Sequence, residues 1–169
     1  YLALETNTTG HSNTGIGKSA LAANTTGSNH TAVGLGALDA NTTSAANSAF
    51  GRDSLGANTT GDDNVALGYA ALFSNTTADN NTGVGYKALY ANTTGAGNTA
   101  LGMRALTANT TASNNISIGK DSMYANTTGA SNVAVGLSAL QNNTTASNNT
   151  AVGYTALFAN TTGAGNAAV

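Results

Sequence analysis

The stretch Asn92-Thr-Thr-Gly-Ala-Gly-Asn-Thr-Ala-Leu-Gly-Met-Arg-Ala-Leu-Thr-Ala108 is followed at Asn109 by a second version of itself, and the same pattern runs through the whole chain. The triplet Asn-Thr-Thr begins at Asn7, Asn24, Asn41, Asn58, Asn75, Asn92, Asn109, Asn126, Asn143 and Asn160, always 17 residues apart. Self-similarity at a fixed period is the signature of a repeat architecture. Nine complete units fill 7–159, and partial units occupy 1–6 and 160–169. The array therefore reads as one solenoid over 1–169, a segment of a longer fibre.

Numbering the triplet's Asn as position 1, position 7 is Asn except at His30, and position 11 is Gly wherever it is present. Position 10 is always apolar (Val84 and Leu101, for example), and position 15 is Leu (Leu89, Leu106) with Met123 as the exception. Apart from His30, every Asp, Glu, Lys, Arg and His falls at position 5, 6, 12, 13 or 16. An unpaired charge is costly to bury, so those positions should face solvent. Positions 1, 7, 9, 10, 11, 14 and 15 should face a core or a contact between chains.

Seventeen residues are too few for a helical repeat, which needs about 34. Fixed Gly and Asn, with β-branched residues at positions 8 and 10, also disfavour helix. One coil of an all-β, parallel β-solenoid per unit fits instead. Positions 7–11, as in Asn132-Val-Ala-Val-Gly136, predict one short strand, and the Ala-Leu at positions 14 and 15 predicts a second. The Asn-Thr-Thr-Gly stretch predicts a corner, where Asn and Gly tolerate left-handed backbone. Coils about 4.8 Å apart would make a rod of roughly 45–50 Å. Ladders are then expected down the rod, polar at Asn24, Asn41 and Asn58 and at Asn64, Asn81 and Asn98, apolar at Val84 and Leu101 and at Leu89 and Leu106. In the example strand, Asn132, Ala134 and Gly136 alternate to one side and Val135 to the other. Either the Val/Leu stripe is a contact between chains or a bend turns both inward; the first is favoured and predicts a homo-oligomer.

Composition narrows the function. Charged residues are 7% of the chain and the net charge is −2, with no Cys, Pro or Trp. Absence of Cys removes disulfides and thiolate metal sites. Five Lys and Arg residues scattered along the chain argue against nucleic acid as a partner. No segment approaches 18 consecutive apolar residues, so no membrane span is expected.

Motif matches are weak. Gly15-Ile-Gly-Lys-Ser19 lacks the phosphate loop's first glycine, since Ser12 stands there. Gly15, Gly17 and Ala20, like Gly83, Gly85 and Ala88, fit a dinucleotide fingerprint only through repeat phase. The only histidines are His11 and His30, and His30 reads as a neutral ring bridging Asn13 and Asn47 within the Asn ladder. No catalytic residues and no cofactor are expected. Asp62, Asp63 and Asp79 form one acidic cluster, a solvated surface or else a calcium site. Tyr69, Tyr86 and Tyr154 share position 12, and Phe73, Tyr90, Tyr124 and Phe158 share position 16, so the four rings Tyr69, Phe73, Tyr86 and Tyr90 should cluster on adjacent coils. Beside Arg52 or Lys87 they can stack on a glycan or a surface protein, or they can cover a seam between chains. Each Asn-Thr-Thr is also a glycosylation sequon, as are Asn29, Asn80, Asn115, Asn142 and Asn148, unless the Asn side chain is buried.

The units Asn98-Thr-Ala-Leu-Gly-Met-Arg-Ala-Leu106 and Asn149-Thr-Ala-Val-Gly-Tyr-Thr-Ala-Leu157 resemble the head repeats of trimeric autotransporter adhesins. Arrays containing Asn-Thr-Thr-Gly are also similar to those of phage tail fibres and large bacterial surface proteins. This unit is longer than the usual head repeat by its Asn-Thr-Thr corner. The resemblance implies a left-handed parallel β-roll, three of them side by side, in a non-catalytic fibre at the cell surface, outside the cell or on a virion. An alternative reading is an extracellular matrix or appendage filament stacked end to end, in which Val169 would meet Tyr1. A lesser one is an ice-binding solenoid, for which positions 2 and 3 supply only one Thr row per face.

Overall fold

A computed structural model describes residues 2–169. The junction expected between Val169 and Tyr1 involves a residue outside that set. The chain forms a parallel β-solenoid, one 17-residue coil per repeat, with no helix among the described residues. Its strands are β1 (Thr14–Ile16), β2 (Thr31–Val33), β3 (Ser48–Phe50), β4 (Val65–Leu67), β5 (Thr82–Val84), β6 (Thr99–Leu101), β7 (Ile116–Ile118), β8 (Val133–Val135), β9 (Thr150–Val152) and β10 (Ala167–Ala168). They stack in chain order, and each residue pairs with the one 17 places on, as Thr82 does with Thr99. With no insertion in any unit, register has nowhere to slip.

Strands β1 to β9 each span positions 8–10, and β10 spans positions 8 and 9. Position 9 is Ala, Gly or Ser and faces inward, where Ala32, Ala49, Ala66 and Ala100 are fully buried. The core's volume comes from position 15: Leu21, Leu38, Leu55, Leu72, Leu89, Leu106, Met123 and Leu140 are all fully buried. Burying a Leu side chain is worth about 1.5–3 kcal/mol. Opposite Leu72 the lumen is narrow enough that a Cβ on Gly83 would lie 3.2 Å from its Cγ. One coil places Ser at positions 9 and 14, and there Ser117 and Ser122, both fully buried, hydrogen-bond each other.

The expected second strand at positions 14 and 15 is absent. That segment is a chain of turns in which positions 13 and 15 are left-handed, as at Lys87 (φ 53°) and Leu89 (φ 51°). Left-handed backbone costs a non-glycine residue roughly 1–2 kcal/mol. Here it turns the Leu into the lumen and aims its N–H along the rod, where Leu89 donates to Ala105 O (3.0 Å). The corner differs too. Its left-handed residue is position 6 (Asn29, Asp63, Asn80), and neither the Asn at position 1 nor the Gly at position 4 has positive φ.

The two apolar ladders part company. Leu89 and Leu106 are inside, whereas Val84 is half-buried and Leu101 is 47% exposed on the outer face of the strand. Strand alternation sets position 10 opposite to position 9, and no bend intervenes before the Gly at position 11.

Both asparagine ladders form. At position 1, Asn41 Nδ2 donates to Asn24 Oδ1 (2.7 Å) and Asn75 Nδ2 to Asn58 Oδ1 (3.0 Å). Asn58 and Asn75 also close their own corner by donating to the position-4 carbonyls of Gly61 and Ala78. At position 7 the ladder runs largely through backbone. The N–H of Asn64 donates to Asn47 Oδ1 (2.9 Å), and Asn64 Nδ2 donates to Ala78 O (2.8 Å) in the next coil. The N–H of Asn98 likewise donates to Asn81 Oδ1 (3.0 Å). A buried polar group must find partners, and these side chains stitch neighbouring coils, with Asn81 Nδ2 and Asn149 Nδ2 the buried side-chain atoms left without one among the described residues.

Candidate binding surface

Two surfaces emerge from this geometry. One is the outer face of the sheet, two rows of side chains at positions 8 and 10 with no charge in any coil. Ile16 (58%), Leu67 (50%), Phe50, Val65 and Ile116 are all exposed there. The other is the edge made by positions 12, 13 and 16. All five Lys and Arg residues lie on it, although they look scattered along the chain. With Glu5, Asp39, Asp53 and Asp121 it carries one net positive charge, while Asp62, Asp63 and Asp79 leave the edge at positions 5 and 6 three negative.

The four aromatic rings come together as two stacked pairs. Tyr69 and Tyr86 have centroids 5.4 Å apart and planes within 13°, and Phe73 and Tyr90 are 5.5 Å apart within 10°. Offset stacks of this kind add about 0.5–1.5 kcal/mol beyond burial. Arg52 Cζ lies 5.8 Å from the Tyr69 centroid, and Lys87 Nζ lies 5.6 Å from Tyr86 and 4.9 Å from Tyr90. Sequence phase brought out these four and put Tyr124 in line with Phe73 and Tyr90, outside the expected cluster, but missed Arg104. Arg104 sits 5.2 Å from the Tyr124 centroid, and its Nε and Nη2 donate to the two Asp121 carboxylate oxygens at 2.8 and 2.9 Å. That hydrogen-bonded carboxylate raises the guanidinium pKa further. Tyr86, Lys87, Tyr90, Arg104, Thr107 and Tyr124 line a groove of about 380 Å³. The signal for the additions was Tyr124, already in phase with Tyr90, and the shared position 13 of Lys87 and Arg104.

The acidic cluster has a structural task. Asp62 Oδ1 accepts the N–H of Ala45 (2.7 Å), and Asp79 Oδ1 accepts the N–H of Asp62 (2.8 Å). Ser113 does the same for Ala96, so an oxygen-bearing residue at position 5 caps the coil before it. Asp63 is exposed at the left-handed position 6. No group of three or more His, Cys or carboxylate side chains gathers in a metal-holding arrangement among the described residues.

His30 is 1% exposed and acts as a substitute asparagine. Its Nδ1 accepts the N–H of Asn47 (3.2 Å), and its Nε2 lies 2.8 Å from Ser44 O. A carbonyl can only accept, so Nε2 carries the proton and the ring is neutral. Asn41 Nδ2, 3.1 Å from Nε2, then has no acceptor there and donates to Asn24 instead. Burial pushes the imidazole pKa below its ordinary value.

The remaining motifs resolve into the repeat. Gly15–Ser19 spans β1 and the turn after it, and no helix follows to receive a phosphate; Gly83, Gly85 and Ala88 sit at the same three positions of a later coil. Position-2 hydroxyls such as Thr93 Oγ1 donate to the next coil's carbonyl (Thr110 O, 2.9 Å), which leaves position 3 as the exposed Thr row. The position-1 asparagines from Asn24 to Asn143 are fully buried, as is Asn115, so their sequons are closed in the folded rod. Asn29, Asn80 and Asn148 are exposed. No helix among the described residues is long and apolar enough to cross a membrane.

Neither family models, curated proteins nor solved structures gave a match to this chain.

Proposed function

We propose that the chain is a rod segment of an extracellular, cell-surface or virion fibre. It assembles as a homotrimer through the outer face of its sheet and presents the edge at positions 12, 13 and 16 to ligands. The observation that carries this reading is the division of surface within each coil. Positions 8 and 10 are uncharged in every coil and expose Ile16, Leu67 and Leu101 along the whole rod. An apolar stripe of that extent marks an interaction site, and a copy of the same rod has the matching 17-residue repeat. All five Lys and Arg residues, and every described Tyr and Phe except Phe50, lie on the neighbouring edge, clear of the stripe. The resemblance to adhesin head repeats points the same way. Function here is geometric: the Asn ladders and the parallel sheet stiffen a spacer, and the side chains it displays supply affinity. No catalytic step is assigned to it.

The test is mass in solution by light scattering. A stable species near three times 16.5 kDa supports the trimer. Open-ended polymers would instead favour the stacked filament. A monodisperse monomer would overturn assembly through this face.

A further inference from the structure

Position 16 forms a column along the edge, and from Phe73 to Phe158 its rings are interrupted at Thr107 and at Gln141. Phe73 and Tyr90 stack with centroids 5.5 Å apart, one coil per ring. The next residue is Thr107, and the one after it is Tyr124. Tyr90 and Tyr124 are therefore two coils apart, roughly 9.6 Å along the rod, and the place of the missing ring between them is open. Thr107 forms the floor, its hydroxyl already donating to Lys87 O (3.0 Å). The groove of about 380 Å³ described above is this gap together with its surroundings.

Two cations border it. Lys87 Nζ is 4.9 Å from the Tyr90 centroid, and among the described residues it has no carboxylate in ion-pair range. Arg104 Cζ is 5.2 Å from the Tyr124 centroid, its plane fixed by the two bonds to Asp121. The space lies between Tyr90 and Tyr124, with Lys87 over one ring and the Arg104 guanidinium over the other, so the charge that faces it is positive. Aromatic faces accept the C–H face of a pyranose, and Lys and Arg meet a carboxylate or sulfate with charge-assisted hydrogen bonds.

We infer that the gap at Thr107 binds one pyranose ring of an anionic glycan, a sugar bearing a carboxylate or a sulfate. Tyr90 and Tyr124 flank the ring, Lys87 supplies the free positive charge, and Arg104 supplies a fixed planar donor. A neutral sugar would leave Lys87 unused. A long single-stranded nucleic acid would need a run of cations along the strand, whereas the rod carries five in all and its other edge is acidic. The inference rests on the proposed function only in requiring this edge to stay open in the assembled rod.

Fluorescence anisotropy with the full chain at physiological salt tests it. The probes are labelled hexasaccharides of heparin (sulfate and carboxylate), hyaluronan (carboxylate alone) and maltose (neutral), with a single-stranded DNA hexamer. Binding of either anionic sugar is expected: hyaluronan binding assigns carboxylate, and heparin binding alone assigns sulfate. Thr107→Tyr fills the gap with a ring of the column's own kind and should weaken binding at least about tenfold with folding intact. Tyr124→Ala and Lys87→Gln should also weaken it, and Lys87→Gln should reduce its salt dependence. The site is overturned if neither anionic sugar binds, if maltohexaose or the DNA binds as tightly, or if Thr107→Tyr binds like the parent. Light scattering on the same samples separates the two proposals. Sugar binding by a monomer keeps this site and removes the trimer, and a trimer that ignores both anionic sugars does the reverse.

Discussion

The imidazole Nδ1 of His30 accepts the backbone N–H of Asn47 at 3.2 Å, the task that Asn47 Oδ1 performs for the N–H of Asn64 one coil further on. The other ring nitrogen donates to the carbonyl of Ser44, as Asn47 Nδ2 does to that of Gly61. A neutral imidazole thus reproduces both hydrogen bonds of an asparagine. A protonated one cannot, because Nδ1 would then face the Asn47 N–H with a proton of its own.

That relationship makes stability depend on pH. Burial holds the folded-state pKa of His30 below the value of about 6.5 expected when unfolded. Below 6.5 the unfolded chain binds more protons than the folded one, so folding weakens as pH falls. The loss continues down to the folded-state pKa, with a slope of at most about 1.4 kcal/mol per pH unit. Burial also raises the Asp39 carboxyl, which contributes in the opposite sense. Subtracting the unfolding curves of His30→Asn from those of the parent, between pH 7.5 and 5, isolates the histidine. The variant is expected to lose this slope, and a parallel pair of curves would refute the assignment.

Leu89 and Leu101 read alike in the sequence, each an apolar residue repeated every coil, and the fold separates them. Leu89→Ala should cost about 2–5 kcal/mol as a cavity in the lumen, lowering the urea midpoint of unfolding. Leu101→Ser removes a side chain that is 47% exposed, so a single chain should hardly register it. Its effect is expected in the mass by light scattering, where the trimer should dissociate more readily. Equal losses of stability would mean that both side chains are buried within the coil.

The same pair shows what was legible. Repeat length, inward Asn and outward charge follow from residue type at fixed phase, because buried charge is excluded in every coil at once. The inward turn of Leu89 follows from left-handed backbone at Lys87 and Leu89, which residue type does not advertise, since neither is a residue that favours it. The binding edge was half legible. Tyr86 and Tyr90 share a phase with rings in the coil before, whereas the groove is defined by Thr107, which with Gln141 is one of two interruptions between aromatic neighbours in the column.

Gly85 tests the invariance of position 11. Its φ is +129°, and a Cβ would lie 2.6 Å from the carbonyl oxygen of Gly102 in the next coil. Strain and clash act together, so Gly85→Ala should cost on the order of 3 kcal/mol or more. Ala78→Gly, at a position where other coils carry Gly, is the comparison and should stay within about 1 kcal/mol of the parent. Thermal unfolding of the two variants decides this. A Gly85→Ala chain that melts with the parent would show that the coils can spread at that point.

Asp62 distinguishes a capping role from a metal-binding one. Its Oδ1 takes the N–H of Ala45 at 2.7 Å, a bond that Ser113 makes to Ala96 in another coil. A serine oxygen therefore suffices for the cap, whereas a calcium site needs the charge. Asp62→Ser should keep the melting midpoint of the parent, and Asp62→Ala should lose about 1–3 kcal/mol by leaving the Ala45 N–H without its acceptor. Millimolar calcium should leave all three midpoints in place. A calcium-dependent rise in the parent that is absent from Asp62→Ser would instead assign Asp62 and Asp79 to an ion, and their backbone bonds would then be secondary to it.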